Sequence, residues 1–111
     1  MSNFFSVSGL GPLQPEFIET VVSGKNNLRV ERIVSHGHTT PKGEWYNQKQ
    51  DEWVIVLEGR AELEDVEGSK ITLNKGEHVL LPKGVKHRVS YCTSPCIWLA
   101  VFCDELVTPE S

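Results

Sequence analysis

The sequence has no apolar run approaching the ~18 residues a membrane span needs, so no membrane crossing is expected. It lacks a basic excess as well. The 111 residues carry a net charge of −4, which argues against nucleic acid, because phosphate neutralisation needs a basic face. The N-terminus shows no basic start, long apolar stretch and small-residue cleavage site, so a cytoplasmic protein is expected. Cysteine is scarce and odd in number: Cys92, Cys96 and Cys103. Without a secretory signal, reduced thiols are the expectation. Cys92 and Cys96 flank Thr93-Ser94-Pro95, which looks like a hairpin tip, but two thiols alone make no zinc cage. Repeats and low-complexity tracts are absent too.

What remains is an ordinary globular composition, 39% hydrophobic and 23% charged. This length suits one domain, which buries roughly two-thirds of its unfolded surface. Residues 1–27 read as an N-terminal arm and edge strand, 28–103 as a barrel and 104–111 as a frayed tail. Glycine and proline density keeps residues 1–14 irregular. Pro15 to Ser23 suits one helical turn running into an edge strand.

The rest reads as β-structure, in short apolar or alternating runs with a turn every 8–12 residues. Expected strands cover 28–35, 45–48, 52–58, 61–66, 70–73, 78–81, 86–92 and 96–103. Val66 is expected to point inward with Ala61 and Leu63, while Glu62 and Glu64 face water. In Leu28–Ser35, Leu28, Val30, Arg32 and Val34 share one side, and Arg29, Glu31, Ile33 and Ser35 the other.

The central run is 52–59, Glu-Trp-Val-Ile-Val-Leu-Glu-Gly. At that length an apolar, β-branched run is a buried strand rather than a helix, and Glu52 at its head is the anomaly. Six residues separate Glu52 from Gly59. Further on, Gly76, five residues, Pro82, one residue, Gly84, two residues and His87 form a second block. In these two spacings, over about 28–103, the chain resembles the cupin superfamily. It is closer still to small bacterial single-domain cupins in Arg32–Ser35, Asp51–Val54, Pro82–Val89 and Trp98–Val101. The resemblance implies an all-β fold, a double-stranded β-helix or jelly-roll barrel.

It also implies a site. In metal-binding cupins two histidines and the glutamate of the first motif join the histidine of the second around one ion. Residue by residue, this gives Glu52 and His87. The histidine pair falls at Tyr46 and Gln48, or at Trp45 and Asn47, and the second-motif asparagine falls at Tyr91. The implied ligands to a divalent ion (iron, nickel, zinc or manganese) are thus Glu52, His87 and Gln48, with His38 as a substitute folding over the barrel mouth. One imidazole, one carboxylate and neutral oxygens make a poor cage for such an ion.

Glu52, Val54 and Val56 share a strand face, as do His87, Val89 and Tyr91, so polar groups converge inside an apolar barrel, the usual form of a small-molecule site. Arg32, Tyr46, Gln48 and Tyr91 complete the expected pocket, with Arg32 favouring an anionic ligand. Glu52 and His87 are the candidate catalytic pair: His87 as base, Glu52 setting its tautomer and charge. The competing reading of the pair is a structural ion pair. The expected function is a small-molecule enzyme of isomerase, decarboxylase or oxygenase type. The alternative is a non-catalytic binding or sensing barrel. The aromatic arm and the outward Trp53, Ile55 and Leu57 need cover, which predicts a homodimer.

Overall fold

A computed structural model describes residues 2–109; Met1 of the arm and the last two residues of the tail lie outside the described residues. Eight strands follow in chain order: β1 (Phe17–Ser23), β2 (Arg29–Ser35), β3 (Asp51–Glu58), β4 (Ala61–Asp65), β5 (Lys70–Leu73), β6 (His78–Leu81), β7 (His87–Cys92) and β8 (Cys96–Cys103). They form a five-stranded sheet, β1-β2-β8-β3-β6, and a three-stranded sheet, β5-β4-β7. Every pairing is antiparallel. No helix among the described residues is long and apolar enough to cross a membrane.

Three sequence expectations are corrected. Phe17–Ser23 is strand throughout, with no helical turn; its β-branched residues and its pairing with β2 outweigh the helix-start proline. Residues 45–48 form only a single antiparallel bridge, Tyr46 to His87. Val66 is 57% exposed, because β4 ends at Asp65, whose Oδ1 accepts from the Glu67 and Ser69 N–H groups of the following turn.

Between the sheets lie Val54, Val56, Ala61, Leu63, Leu73, Cys92, Cys96, Trp98, Ala100 and Phe102. Burial is most complete at one end of the barrel, where Val56, Ala61, Cys96 and Ala100 have no exposed surface. Toward the other end the inward positions turn polar: Arg29 and Glu31 on β2, Glu52 on β3, His87 on β7. One end is therefore a packed plug and the other a cavity.

The plug depends on the loop between β7 and β8. This loop is a corner joining the two sheets, since β7 pairs with β4 and β8 with β2 and β3. A simple terminal hairpin does not form. Thr93 ties the corner down. Its N–H donates to Arg60 O (2.9 Å), and its hydroxyl accepts from Arg60 N–H (2.9 Å). Gly59 makes this approach possible. Its φ is +87°, and a Cβ there would meet Thr93 Oγ1 and lie 2.6 Å from the Pro95 carbonyl oxygen. Gly84 has a φ of +79° but open space around it. Gly59→Ala should therefore cost roughly 3 kcal/mol or more, conformational strain plus a backbone clash. Gly84→Ala should cost only about 1–2 kcal/mol, the left-handed conformation alone. Urea unfolding of the two variants checks this ranking; equal losses would mean that the corner is loosely packed.

Candidate functional site

The open end encloses a cavity of about 430 Å³, within the range of small-molecule pockets. Its wall is mostly apolar, with Ile33, Val54, Leu63, Leu81, Val89, Trp98 and Phe102. Its polar groups come from four places: Glu52 on β3, His87 on β7, Arg29 and Glu31 on β2, and Tyr46 and Gln48 from the 36–50 connection.

The second sequence block positions that connection. Pro82 to Val85 forms a turn, with Val85 N–H donating to Pro82 O, and Gly84 N–H donates to Gln48 O at 3.0 Å. Tyr46 and His87 exchange backbone hydrogen bonds of 2.8 and 3.1 Å, and their rings lie 5.7 Å apart. Asp51, buried beside Glu52, accepts from the N–H groups of Lys83 (2.9 Å) and Leu106 (2.8 Å). Those two bonds hold its carboxyl below the usual range. Asp51 is thus a structural clamp, which also fixes the first residues of the tail.

Glu52 and His87 are 7% and 8% exposed. Glu52 Oε1 accepts from Gln48 Nε2 at 3.0 Å and stands 3.7 Å from His87 Nε2. That gap is too long for a hydrogen bond. Burial pushes the Glu52 carboxyl up to about 7, against the opposing Gln48 bond, with Glu31 adding to the rise and Arg29 reducing it. Burial also pushes His87 below its ordinary value, partly offset by the Val85 carbonyl. Both shifts favour neutral forms, so below about pH 7 the pair tends toward a carboxylic acid beside a neutral imidazole rather than an ion pair. His87 Nδ1 lies 3.4 Å from Val85 O. A proton on that nitrogen leaves Nε2 as the basic atom facing Glu52.

Other groups bias the cavity. Arg29 stacks on Phe102, its guanidinium carbon 4.1 Å from the ring centre, while its Nε donates to Glu31 at 2.7 Å and its Nη1 to Gln50 at 3.1 Å. Burial raises the Tyr46 phenol, helped by Glu16 and opposed by a Thr40 hydrogen bond. Gln48 Oε1 and Trp98 Nε1 are buried without a partner. Both residues line the cavity.

The structure thus brings together Glu52, His87, Tyr46 and Gln48. Three expected members lie elsewhere. Arg32 points to the opposite side of β2, where its Nη1 donates to Ser6 O at 2.6 Å and its Nε pairs with Glu19 at 3.3 Å. Alternation misleads at β2, because its more apolar face, with Val30 and Val34, turns away from the cavity and the face carrying Arg29 and Glu31 turns toward it. Tyr91 is 43% exposed and lies against Arg60. A bulge in β7 causes this. Leu63 faces Val89 and Glu62 faces Tyr91, so Ser90 is an extra residue that reverses the alternation. His38 accepts from His36 N–H on Nδ1 at 2.9 Å, and its Nε2 contacts Gln14 O at 2.7 Å. Both ring nitrogens are occupied outside the cavity.

Sequence reasoning did not place Arg29, Glu31, Glu16 or Trp98 at the cavity. For Arg29 and Glu31 a signal existed, since they share parity with Ile33. Glu16, which hydrogen-bonds Ser35, reaches the cavity through the path of β1, and no local pattern indicates that.

This donor set does not fit a divalent metal. Gln48 presents its NH2 group to Glu52, His38 is held elsewhere, and no group of three His, Cys, Asp or Glu side chains converges among the described residues. The Cys92 thiol donates to His38 O at 3.0 Å, and all three cysteines are free.

A family model described as a cupin domain matches residues 29–102. Among solved structures, a protein from Ralstonia eutropha named a "putative mannose-6-phosphate isomerase" is 33% identical. It superimposes with a TM-score of 0.83, covering 95% of this chain and 98% of that one. A cupin-2 domain protein from Shewanella frigidimarina is 22% identical with a TM-score of 0.64, covering 77% of this chain and 78% of its own. A DMSP lyase from Ruegeria pomeroyi is 19% identical with a TM-score of 0.68, covering 85% of this chain and 49% of its own. These last two likenesses show shared fold alone. A search of curated proteins found no match.

The raised Glu52 carboxyl has a consequence for stability. A carboxyl whose folded pKa lies above its unfolded value contributes stability that is full below about 4.5 and lost as pH rises through about 7. Glu52→Gln removes the ionisable group. Its stability relative to wild type should rise between pH 4.5 and 8, by ~3 kcal/mol if the shift is fully expressed. Urea unfolding at the two pH values measures it, and a constant difference would mean that Glu52 is already ionised against His87. For His87 the sign is opposite: its contribution is full above about 6.5 and lost as pH falls through its lower folded value.

Proposed function

The chain belongs to the cupin family, and on that premise we propose that its cavity is a metal-independent acid–base site. Its ligand on this reading is a small hydroxy-carbonyl compound, and its reaction is isomerisation by proton transfer. The observation that carries the reading is the Glu52–His87 pair, a neutral acid and a neutral base 3.7 Å apart and facing one cavity. Environments that push two titratable groups in opposite directions are how one site supplies both an acid and a base near neutral pH.

The roles follow from the atoms. His87 Nε2 takes the proton from the carbon next to the carbonyl. The Glu52 carboxyl gives its proton to the carbonyl oxygen, leaving a neutral enediol. The imidazolium of His87 then gives its proton to the former carbonyl carbon. The hydroxyl on the carbon first deprotonated loses its proton to the Glu52 carboxylate, which forms the new carbonyl there, completes a 1,2-shift and restores both residues. Gln48 Nε2 holds the carboxyl in place. Gln48 and Trp98 line the cavity, and each holds one buried polar atom, Oε1 and Nε1, that has no partner in the protein. The apolar wall strengthens each polar contact by excluding water. The name of the Ralstonia neighbour, which refers to sugar phosphate isomerisation, agrees with this class. Oxygenase chemistry would need a redox metal, and the residues present do not make up its ligand set.

The same two unpartnered atoms favour a second reading, a barrel that binds such a ligand without turning it over. Proton exchange separates the two. Chelator-treated protein in D2O with a panel of aldoses, ketoses and their phosphates should wash deuterium into the carbon next to the carbonyl, followed by NMR. Glu52→Gln and His87→Gln should each lower that rate by about 10²–10⁴-fold. The rate should also decline above pH ~7, where Glu52 ionises. Saturable binding without exchange would establish the binding-module reading, and the absence of both would overturn the site.

A further inference from the structure

Arg29 and Glu31 are charged groups of the cavity that the acid–base pair leaves unused. Cross-strand register sets their distance from that pair. Arg29 is paired with Phe102, and Phe102 with Glu52, so three inward side chains form one row across β2, β8 and β3. Two strand spacings of ~4.8 Å put the Arg29 backbone roughly 10 Å from that of Glu52. Glu31 stands in the next inward row, with Ala100 and Val54.

Each of the two side chains is fixed at one atom and open at another. Arg29 Nε donates to Glu31 Oε2 at 2.7 Å and Nη1 to Gln50 Oε1 at 3.1 Å, with the guanidinium resting on Phe102. Arg29 Nη2 and Glu31 Oε1 have no hydrogen-bond partner among the described residues. The side chains are 37% and 13% exposed, so a ligand can reach both atoms. The cavity therefore presents a fixed donor beside a fixed acceptor. Two adjacent hydroxyl groups match them: one oxygen accepts from the guanidinium while the other O–H donates to the carboxylate. Both bonds are charge-assisted, the stronger class. An anionic group does not match. A phosphate that meets Nη2 also meets the Glu31 carboxylate, and that juxtaposition of like charges costs affinity. The rest of the lining supplies no excess of positive charge. Its cations are Arg29 and the exposed Lys49, and its acids are Glu16, Glu31 and Glu52.

We propose that Arg29 and Glu31 form a diol-binding subsite and that the ligand is an unphosphorylated polyhydroxy carbonyl compound. Its vicinal hydroxyls lie at Arg29 and Glu31, and its carbonyl end lies at Glu52 and His87. The placement of the carbonyl end rests on the acid–base reading; the subsite rests on the Arg29–Glu31 geometry. Ligand-observed NMR titration of chelator-treated protein, with matched pairs of aldoses or ketoses and their terminal phosphates, tests the proposal. A neutral sugar should bind about ten-fold or more tightly than its own phosphate. Glu31→Gln removes the charged acceptor and the repulsion together, so it should weaken the neutral sugar about ten-fold and narrow the ratio within the pair. Arg29→Gln should weaken the neutral sugar by a similar factor, and it decides the matter if Glu31→Gln fails to fold. Glu52→Gln should slow deuterium exchange yet keep the wild-type ratio. The expected ratio without any exchange in wild type would support the subsite and overturn only the isomerisation. Tighter binding of the phosphates, a neutral-sugar affinity unmoved by either substitution at the subsite, or binding of neither sugar class would overturn the subsite.

Discussion

The barrel is held by the contact between Gly59 and the corner that carries Thr93 and Pro95. β3 and β4 belong to different sheets, and so do β7 and β8. The two crossings meet at this point, where a side chain on residue 59 would occupy the space of the Pro95 carbonyl. With both crossings fixed at one end, the sheets pack to full burial around Val56, Ala61 and Cys96. The opposite end is then free to diverge and to hold polar groups, since its geometry is set by the plug rather than by its own packing.

That division explains why a carboxyl and an imidazole persist inside an apolar shell. A core built for stability alone would place hydrocarbon at Glu52 and His87, because burying ionisable groups without a strong counter-ion is unfavourable. Here burial favours the neutral form of each, and each has one polar partner, Gln48 for Glu52 and the Val85 carbonyl for His87. Neutrality limits the cost of burial, and on the proposed function it also provides one acid and one base. The stability penalty above neutral pH and the proposed acid role of Glu52 share one cause, the removal of water from its carboxyl.

A strand irregularity in β7 chooses which side chains reach the cavity. In β7 the extra residue Ser90 keeps His87 and Val89 inside, turns Tyr91 out and brings Cys92 in. In β3 the shift between Val56 and Glu58 frees Leu57 from strict pairing just before Gly59. Each bulge changes the facing of every residue beyond it. One inserted residue thus decides whether an aromatic ring lines the site or the surface.

From the sequence alone, the turn-punctuated short strands, the Glu52–Gly59 spacing and the Gly76–His87 block determined an all-β cupin barrel. They also identified Glu52 and His87 as its polar pair, because those signals are local and periodic. Strand alternation likewise placed Trp53 on the outer face. What only the tertiary structure decided was which face of β2 turns inward. Arg29 and Glu31 occupy the cavity where Arg32 was expected, since the more apolar face, with Val30 and Val34, turns outward and the polar end of the barrel takes the charged one. Tyr91 was misplaced because a bulge is a mismatch between two strands and leaves no mark in either one. The loop between β2 and β3 is the last case. Its path holds His38 away from the site and brings Gln48 to Glu52 through hydrogen bonds to Gln14 and Gly84. Those partners are far away in the chain, and no local pattern announces them.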